Sequence, residues 1–434
     1  MVTATYSSLN TGLTSANAGA IGDEFLMKDG AYDLPDIQAL SKSGIKFKAE
    51  HEGMASIIGG AIDLKGSDIE FSGFDLQFAN TREQVMYILG NNCKFLKNNT
   101  HFKNSLGTTS RQDWINVKGS GNIIQYNDVH GKTGRGNFVL IGTGSLLAPQ
   151  NKILDNKLHD FKVTNYGSTT NGYEVARVGS STAANKDFYA EIARNNIYDI
   201  SSPETELITI KGSNNDVHDN VIGMDPSGAI KSVSASMCLR HGRLNKVNNN
   251  KFYGSGLRIY GRGHEVIGNT FKRNSLNQLR QIVVGNGRYA EEEQNMASGD
   301  ANYTQVRDLK FQNNWIEMED STDLTIFYWN YGSESLKPYN NTVSGNTIFA
   351  KKGVLANAPN SADWNGNTIS GNKLWCVVGG VAKYGNMPIS GYTKSDPTTV
   401  TPTPTPEPTP LTIEERVKLL ESDMTMVKQK LGLV

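Results

Sequence analysis

Asn220-Val221-Ile222, Asn250-Lys251-Phe252, Asn269-Thr270-Phe271 and Asn314-Trp315-Ile316 carry the theme that decides the fold: an asparagine, then a short β-branched or aromatic run. Working outward, the theme continues upstream in Asn98-Asn99 before His101-Phe102, Asn127-Asp128-Val129, Asn156-Lys157-Leu158 and Asn196-Ile197-Tyr198. Downstream it returns in Asn346-Thr347-Ile348 and Asn372-Lys373-Leu374. From about Ile57 to Val381 the copies fall one or two solenoid coils apart, on the order of 20 to 45 residues. Helical periodicity is nearly absent there.

A chain that turns sharply between short strands once per coil needs the left-handed backbone conformation that asparagine tolerates. Stacked coils also let the amides hydrogen-bond in ladders. The expected fold is therefore all-β, a single-stranded right-handed parallel β-helix. A β-sandwich or propeller with Asn-rich turns is the competing architecture, disfavoured by the irregular spacing and the lack of a fixed blade motif. In a solenoid the inward strand positions form the core, and function belongs on the outward polar ones.

Composition agrees. The 434 residues include 44 Gly and only 37% hydrophobic residues, a bias towards turns over helices. Lys+Arg and Asp+Glu are both 43, so no global field draws in nucleic acid or an anionic membrane, and attraction for an anionic ligand must be local. Cys93, Cys238 and Cys376 are odd in number and far apart, which reads as buried free thiols. No stretch is apolar for long enough to span a bilayer. Met1-Val2-Thr3-Ala4-Thr5-Tyr6 lacks the basic-then-apolar pattern of a secretory signal, so export is expected through a leader already removed or by another route.

The expected organisation is a β-helix domain over 1–394, a linker over 395–410 and an oligomerisation helix over 411–434. In the linker, alternating Pro and Thr enforce an extended spacer. Beyond it Ile413, Val417, Leu420, Met424, Val427, Leu431 and Val434 recur at steps of four and three, a coiled-coil seam, with Thr412 and Glu415 as an approximate capping pair. About three heptads need partners to be stable, so a homo-oligomer, dimer or trimer, is expected.

Four segments carry candidate chemistry. In Ser202-Pro203-Glu204-Thr205-Glu206-Leu207-Ile208-Thr209-Ile210-Lys211-Gly212, Glu204 and Glu206 project to one face of a strand, and paired carboxylates suit a hard cation such as calcium. Strict alternation puts Lys211 on the opposite face. A turn or bulge between Glu206 and Ile208 is needed to bring all three outward, with Ile208 and Ile210 in the core. The others are Met237-Cys238-Leu239-Arg240-His241-Gly242, Asn171-Gly172-Tyr173-Glu174-Val175-Ala176-Arg177-Val178-Gly179, and Gly256-Leu257-Arg258-Ile259-Tyr260-Gly261-Arg262-Gly263-His264. Any one is explained by solvated charge. Recurring in successive coils, they stack into one cluster. Lys132, within His130-Gly131-Lys132-Thr133, reads as a solvated loop residue or an extension of the groove.

The ordered set Asn171-Gly-Tyr-Glu, Glu204-x-Glu206 with Lys211 five further on, Leu-Arg240-His-Gly and Gly-Leu-Arg258-Ile-Tyr-Gly resembles the polysaccharide lyases of family 6, the alginate lyases and chondroitinase B. The resemblance runs from about Gly22 to Gly391. It implies a right-handed parallel β-helix, Lys211 as base, Arg240 as acid, and calcium held by Asn171, Glu204 and Glu206. It also implies an anionic polysaccharide substrate, most readily alginate, with a chondroitin or dermatan-type polymer as the alternative. Arg177, His241, Arg258, Tyr260 and Arg262 are the substrate-binding candidates, since guanidinium pairs with carboxylate in two-point fashion.

The expected reaction is β-elimination: a cation at the uronate carboxylate neutralises charge as the C5 proton leaves, and an arginine assists mainly by electrostatics. An apparent insertion at Met224-Asp225-Pro226-Ser227-Gly228-Ala229 puts the cleft geometry in question. The Pro-Thr spacer and heptads stand outside the lyase pattern and resemble a virus-encoded depolymerase, so the expected location is extracellular, secreted or virion-borne. A β-helical glycoside hydrolase and a non-catalytic glycan-binding adhesin acting by avidity are the rival functions.

Overall fold

The computed structural model describes residues 1–79, 82–102, 111–142, 148–163, 172–202, 206–272, 282–297, 302–318, 327–331, 333–350, 366–376 and 392–394. Asn171, Glu204 and the expected linker and heptad helix lie outside the described residues.

The strands stack into three parallel sheets of 14, 11 and 14 strands, and each sheet takes about every third strand of the chain. One coil passes through Asp216–His218 in the first sheet, Val221–Ile222 in the second and Ser236–Leu239 in the third. This is the parallel β-helix. The 11-strand sheet, called sheet 3 below, carries the chemistry. Inward positions form one continuous core, and like residues stack coil upon coil, as in Phe47–Phe71–Phe95 with ring centroids 6.1 and 5.8 Å apart.

The asparagine theme is a hydrogen-bonded ladder at the corner between the first and second sheets. Each backbone N–H from Asn98 through Asn127, Asn156, Asn195, Asn220, Asn250, Asn269, Asn314 and Asn346 to Asn372 donates to the Oδ1 of the next, at 2.9–3.0 Å. Two details correct the sequence reading. The ladder member in its coil is Asn195, not Asn196. The left-handed residue is the one before each ladder asparagine: Lys97, Tyr126, Asp155, Arg194, Asp219, Asn249 and Asn313 have φ of 54–60°. The preceding residue makes the turn, and the asparagine stays free to serve backbone groups of both neighbouring coils.

A second ladder lies at the corner leading into the first sheet, where Asn215 N–H donates to Asn245 Oδ1 and Asn245 N–H to His264 Nδ1. His264 thus stands in for an asparagine. With Nδ1 accepting, Nε2 carries the hydrogen and donates to the Tyr260 carbonyl at 2.9 Å. Burial holds this imidazole neutral, down to about 4.

The solenoid begins earlier than the repeat suggests, with Thr3–Tyr6 pairing Glu24–Met27. Helix Leu9–Ala18, which has no counterpart in the sequence reading, buries Leu9, Leu13 and Ala16 against these first coils. Gly12 permits the approach, since a Cβ there would lie 2.6 Å from Met27 Sδ. The insertion after Gly223 closes on itself through an antiparallel Met224–Ile230 bridge. Asp225 Oδ1 accepts from the N–H groups of Ser227 and Ala229. Ile210 still pairs with Leu239 in register, so the insertion does not disturb the cleft coils.

Candidate active site

Sheet 3 aligns the four sequence segments on adjacent coils. Val178, Ile210, Leu239 and Ile259 pair in register and point inward. The residues just beyond them emerge as a second row. There Lys211 N–H donates to the Val178 carbonyl, Arg240 N–H to Ile210 and Tyr260 N–H to Leu239, which stacks Lys211, Arg240 and Tyr260 one coil apart, about 4.8 Å. The position before the inward row gives Arg177, Thr209, Cys238 and Arg258.

The bulge inferred from alternation is present. Glu206 pairs with Ser236 but Thr209 with Cys238, a register shift between Glu206 and Thr209. A bulge re-aims side chains by breaking the two-residue period. Glu206 consequently shares a surface with Lys211, while Ile208 and Ile210 stay in the core. Thr209 Oγ1 donates to Glu206 Oε2 at 3.1 Å. Glu206 Oε1 accepts from Arg240 Nη1 at 3.0 Å and faces Arg258 Nη1 at 3.5 Å. Glu206 is 2% exposed, so its charge is stabilised by the two guanidiniums rather than by water.

Lys211 is half-buried, and its amine makes no hydrogen bond or ion pair to a described residue. Burial lowers its pKa from the ordinary lysine value; Glu174 opposes the shift, and the Arg240 and Arg177 guanidiniums reinforce it. The shift moves the amine towards its neutral form. Burial acts to lower Arg240 as well, but the Glu206 carboxylate, together with Tyr303 and Cys238, outweighs it, so the shift is upward and the guanidinium stays charged. Cys238 lies beneath these groups as a fully buried thiol, pushed up by desolvation.

Two residues the sequence reading did not assign join the cluster. Glu174 lies one coil before Glu206, in register with it because Ala176 pairs with Ile208. It is 2% exposed, its Oε1 is 3.8 Å from Arg177 Nη1, and its Oε2 is buried without a hydrogen bond. Its signal was readable: Glu174-Val-Ala-Arg177-Val aligns with Glu206-Leu-Ile-Thr209-Ile. Tyr303 arrives from a distant excursion, with its ring stacked on Tyr260 at 3.7 Å and the Arg240 guanidinium 5.9 Å from its centroid. Nothing local in sequence marks it.

Three expected substrate contacts are placed otherwise. His241 is fully buried, with Nε2 3.1 Å from Ser181 Oγ and its ring against Tyr303. Burial, reinforced by Arg240 and Lys211, holds it neutral, down to about 3. Tyr260 is 2% exposed beneath Tyr303. Arg262 is clamped by Glu291, Glu292 and Glu293. Alternation still brought them near the site, but the excursion covers them. Arg177 and Arg258 do reach the cluster, 12% and 19% exposed. Lys132 is neither groove nor loop: its Nζ donates to the Gln112 carbonyl at 2.8 Å inside the core, between the Trp114 and Phe161 rings.

Residues 6–356 match the family model for chondroitinase B. The chain belongs to the chondroitinase B family. It is thus a polysaccharide lyase, and its fold is shared with solved family 6 lyases. A mannuronic acid specific polysaccharide family 6 lyase from human gut microbiota superposes with a TM-score of 0.73 at 16% identity, over 91% of this chain and 90% of that one. The family 6 alginate lyase AlyGC gives 0.71 at 18% identity, over 91% of this chain and 53% of AlyGC. The family 6 lyase Pedsa3628 from Pseudopedobacter saltans gives 0.65 at 17%, over 87% and 93%. No curated protein matches the chain by sequence. Among the described residues no helix is long and apolar enough to cross a membrane.

Proposed function

We propose that this lyase cleaves alginate by β-elimination, leaving a 4,5-unsaturated uronate on one product. The carrying observation is the partly desolvated Lys211 amine, without a partner among the described residues, one coil from an Arg240 that is anchored on Glu206. Neutral Lys211 takes the C5 proton. Arg240 and Arg258 face the uronate carboxylate and stabilise the negative charge it gains, and Arg177 lies one coil further along the groove for a neighbouring uronate. A dermatan-type polymer, favoured by the family's name, is the second substrate reading.

Calcium is the proposed cofactor, held by Glu206 with Asn171 and Glu204. The fit is chemical: Glu174 Oε2 is buried beside Glu206 without a hydrogen-bond partner, and an uncompensated carboxylate oxygen suits a hard cation. When bound, the ion would neutralise charge on the substrate carboxylate. The reading further includes extracellular action and homo-oligomerisation through the heptads of 411–434, both resting on sequence.

Incubation with alginate is expected to generate ultraviolet absorbance from the new conjugated double bond, suppressed by chelation, restored by calcium and lost in Lys211→Ala. Reducing ends formed without unsaturation, or an undiminished Lys211→Ala, would refute the proposal.

A further inference from the structure

Arg240 is held by fewer hydrogen bonds than its neighbour. Both Arg240 and Arg258 reach Glu206 Oε1, at 3.0 and 3.5 Å. Arg258 has a second bond, from Nη2 to the Tyr260 hydroxyl at 3.3 Å, and its guanidinium lies 5.7 Å from that ring's centroid. Arg240 has no hydrogen bond besides Glu206 among the described residues, and its Nε is buried without a partner. One hydrogen bond fixes one corner of a guanidinium and leaves its plane free to turn about that point. The resemblance assigns Arg240 to the departing glycosidic oxygen, a task that depends on the orientation of the plane.

Tyr303 supplies the missing restraint. Its ring lies over the Arg240 guanidinium, 5.9 Å from Cζ to the centroid, within reach of a cation–π contact. The ring is held from two further sides: Tyr260 stacks on it at 3.7 Å with 12° between the planes, and His241 lies at 6.1 Å. Gly285 leaves room for the stack, because a Cβ there would strike the Tyr260 ring. The two guanidiniums that share Glu206 thus rest on two phenol rings that rest on each other.

Backbone and charge pin Tyr303 in turn. Its carbonyl accepts from Arg288 N–H at 2.9 Å, and the Thr304 carbonyl from Gly261 N–H at 3.1 Å. The excursion that carries it is latched onto an arginine ladder, in which Arg243, Arg262 and Arg307 bridge in register on successive coils. Arg243 pairs with Glu293 at 3.1 Å, Arg262 Nε with the fully buried Glu292 at 2.7 Å, and Arg307 with Glu291.

We propose that Tyr303 is a positioning residue for the elimination: its ring face holds the plane of the Arg240 guanidinium in the orientation that serves the departing oxygen. The inference rests on the β-elimination reading above. The Tyr303 hydroxyl makes no hydrogen bond to a described residue, so the ring alone carries the effect. Tyr303 acts through Arg240 and needs no contact of its own with the sugar.

The test compares Y303F, Y303L and Y303M with wild type on whichever alginate or dermatan-type polymer the wild type cleaves fastest, with urea unfolding of each variant alongside. Y303F keeps the ring and is expected to stay within about threefold of wild type in kcat. Y303L and Y303M fill the space without a π face. Each is expected to lower kcat by about tenfold or more with KM within about twofold, the pattern of a misoriented group in a complex that still forms. Y303M carries the comparison if Y303L does not fold. Wild-type kcat in a folded Y303L or Y303M, or a loss in Y303F as large as theirs, overturns the positioning role alone. A loss confined to KM overturns it too, by making Tyr303 a substrate contact. A wild type that yields no unsaturated ends from any of these polymers overturns the β-elimination reading and this one together.

Discussion

Replacing Lys132 with methionine is expected to stabilise the protein near neutral pH and to stop doing so in strong alkali. Lys132 is 2% exposed, and its amine has one hydrogen bond to the Gln112 carbonyl and lies between the Trp114 and Phe161 rings. Burial pushes its pKa from 10.5 down to about 7; Asp113 opposes the shift and Arg111 adds to it. At 1.36 kcal/mol per unit, that drop withholds about 5 kcal/mol of stability.

The sign follows from proton counts. Unfolded chains keep this proton up to 10.5, while the folded protein gives it up from about 7. Between those values the unfolded state binds more protons, so stability rises with pH across the window and the full penalty applies below it. Methionine retains the stem and removes the charge, but it leaves the Gln112 carbonyl without its donor, at about 1–3 kcal/mol. The variant should gain about 2–4 kcal/mol near pH 6 and lose about 1–3 kcal/mol near pH 11. Urea unfolding followed by tryptophan fluorescence across this range measures the difference. A stability change that is constant with pH would refute the reasoning, because it would mean that Lys132 titrates alike in both states.

Asn220→Ala removes the acceptor of the buried Asn195 N–H and three bonds from Nδ2, to Ile192, His218 and Asn250, so a loss of about 2–4 kcal/mol is expected. Asn196→Ala, one residue past the ladder, should stay within about 0.5 kcal/mol in the same urea unfolding. Arg262→Ala strips the guanidinium from fully buried Glu292 and should cost about 3–5 kcal/mol; a variant with an unchanged melting temperature and a raised KM would return Arg262 to the substrate.

The β-helix was legible because its ladder asparagines are a covalent record of stacking: each must face the one in the next coil. Coils without the ladder left no such record. Thr3–Tyr6 and Glu24–Met27 pair just as the later strands do, yet nothing in their composition announces it. Within the site, Lys211, Arg240 and Glu206 were readable because adjacent segments of one sheet repeat a local pattern. His241, Tyr260 and Arg262 belong to that pattern as well. Their exposure, however, is set by the excursion carrying Glu291–Glu293 and Tyr303, which comes from far along the chain. Local alternation fixes which way a side chain points but not what later covers it. Lys132 shows the same limit: it follows Gly131, at φ 79°, and pairs with Phe161, so its long stem enters the core where polarity alone reads surface.

One residue of bulge turns a repetitive scaffold into a chemical site. A regular strand shows every second side chain on one face, which puts Glu206 and Lys211, five apart, on opposite sides. The register shift between Glu206 and Thr209 removes that conflict, so carboxylate, threonine and lysine emerge from one coil together. The next coil then needs no irregularity: Arg240, one past inward-facing Leu239, stacks directly on Lys211 and reaches back to Glu206. The carboxylate thereby fixes Arg240 and Arg258 while the lysine amine pairs with no described residue. Had alternation been regular, Glu206 would face the core, where burying its charge without those guanidiniums would cost several kcal/mol. Arg240 would still stack on Lys211 but would lack the carboxylate that holds its guanidinium.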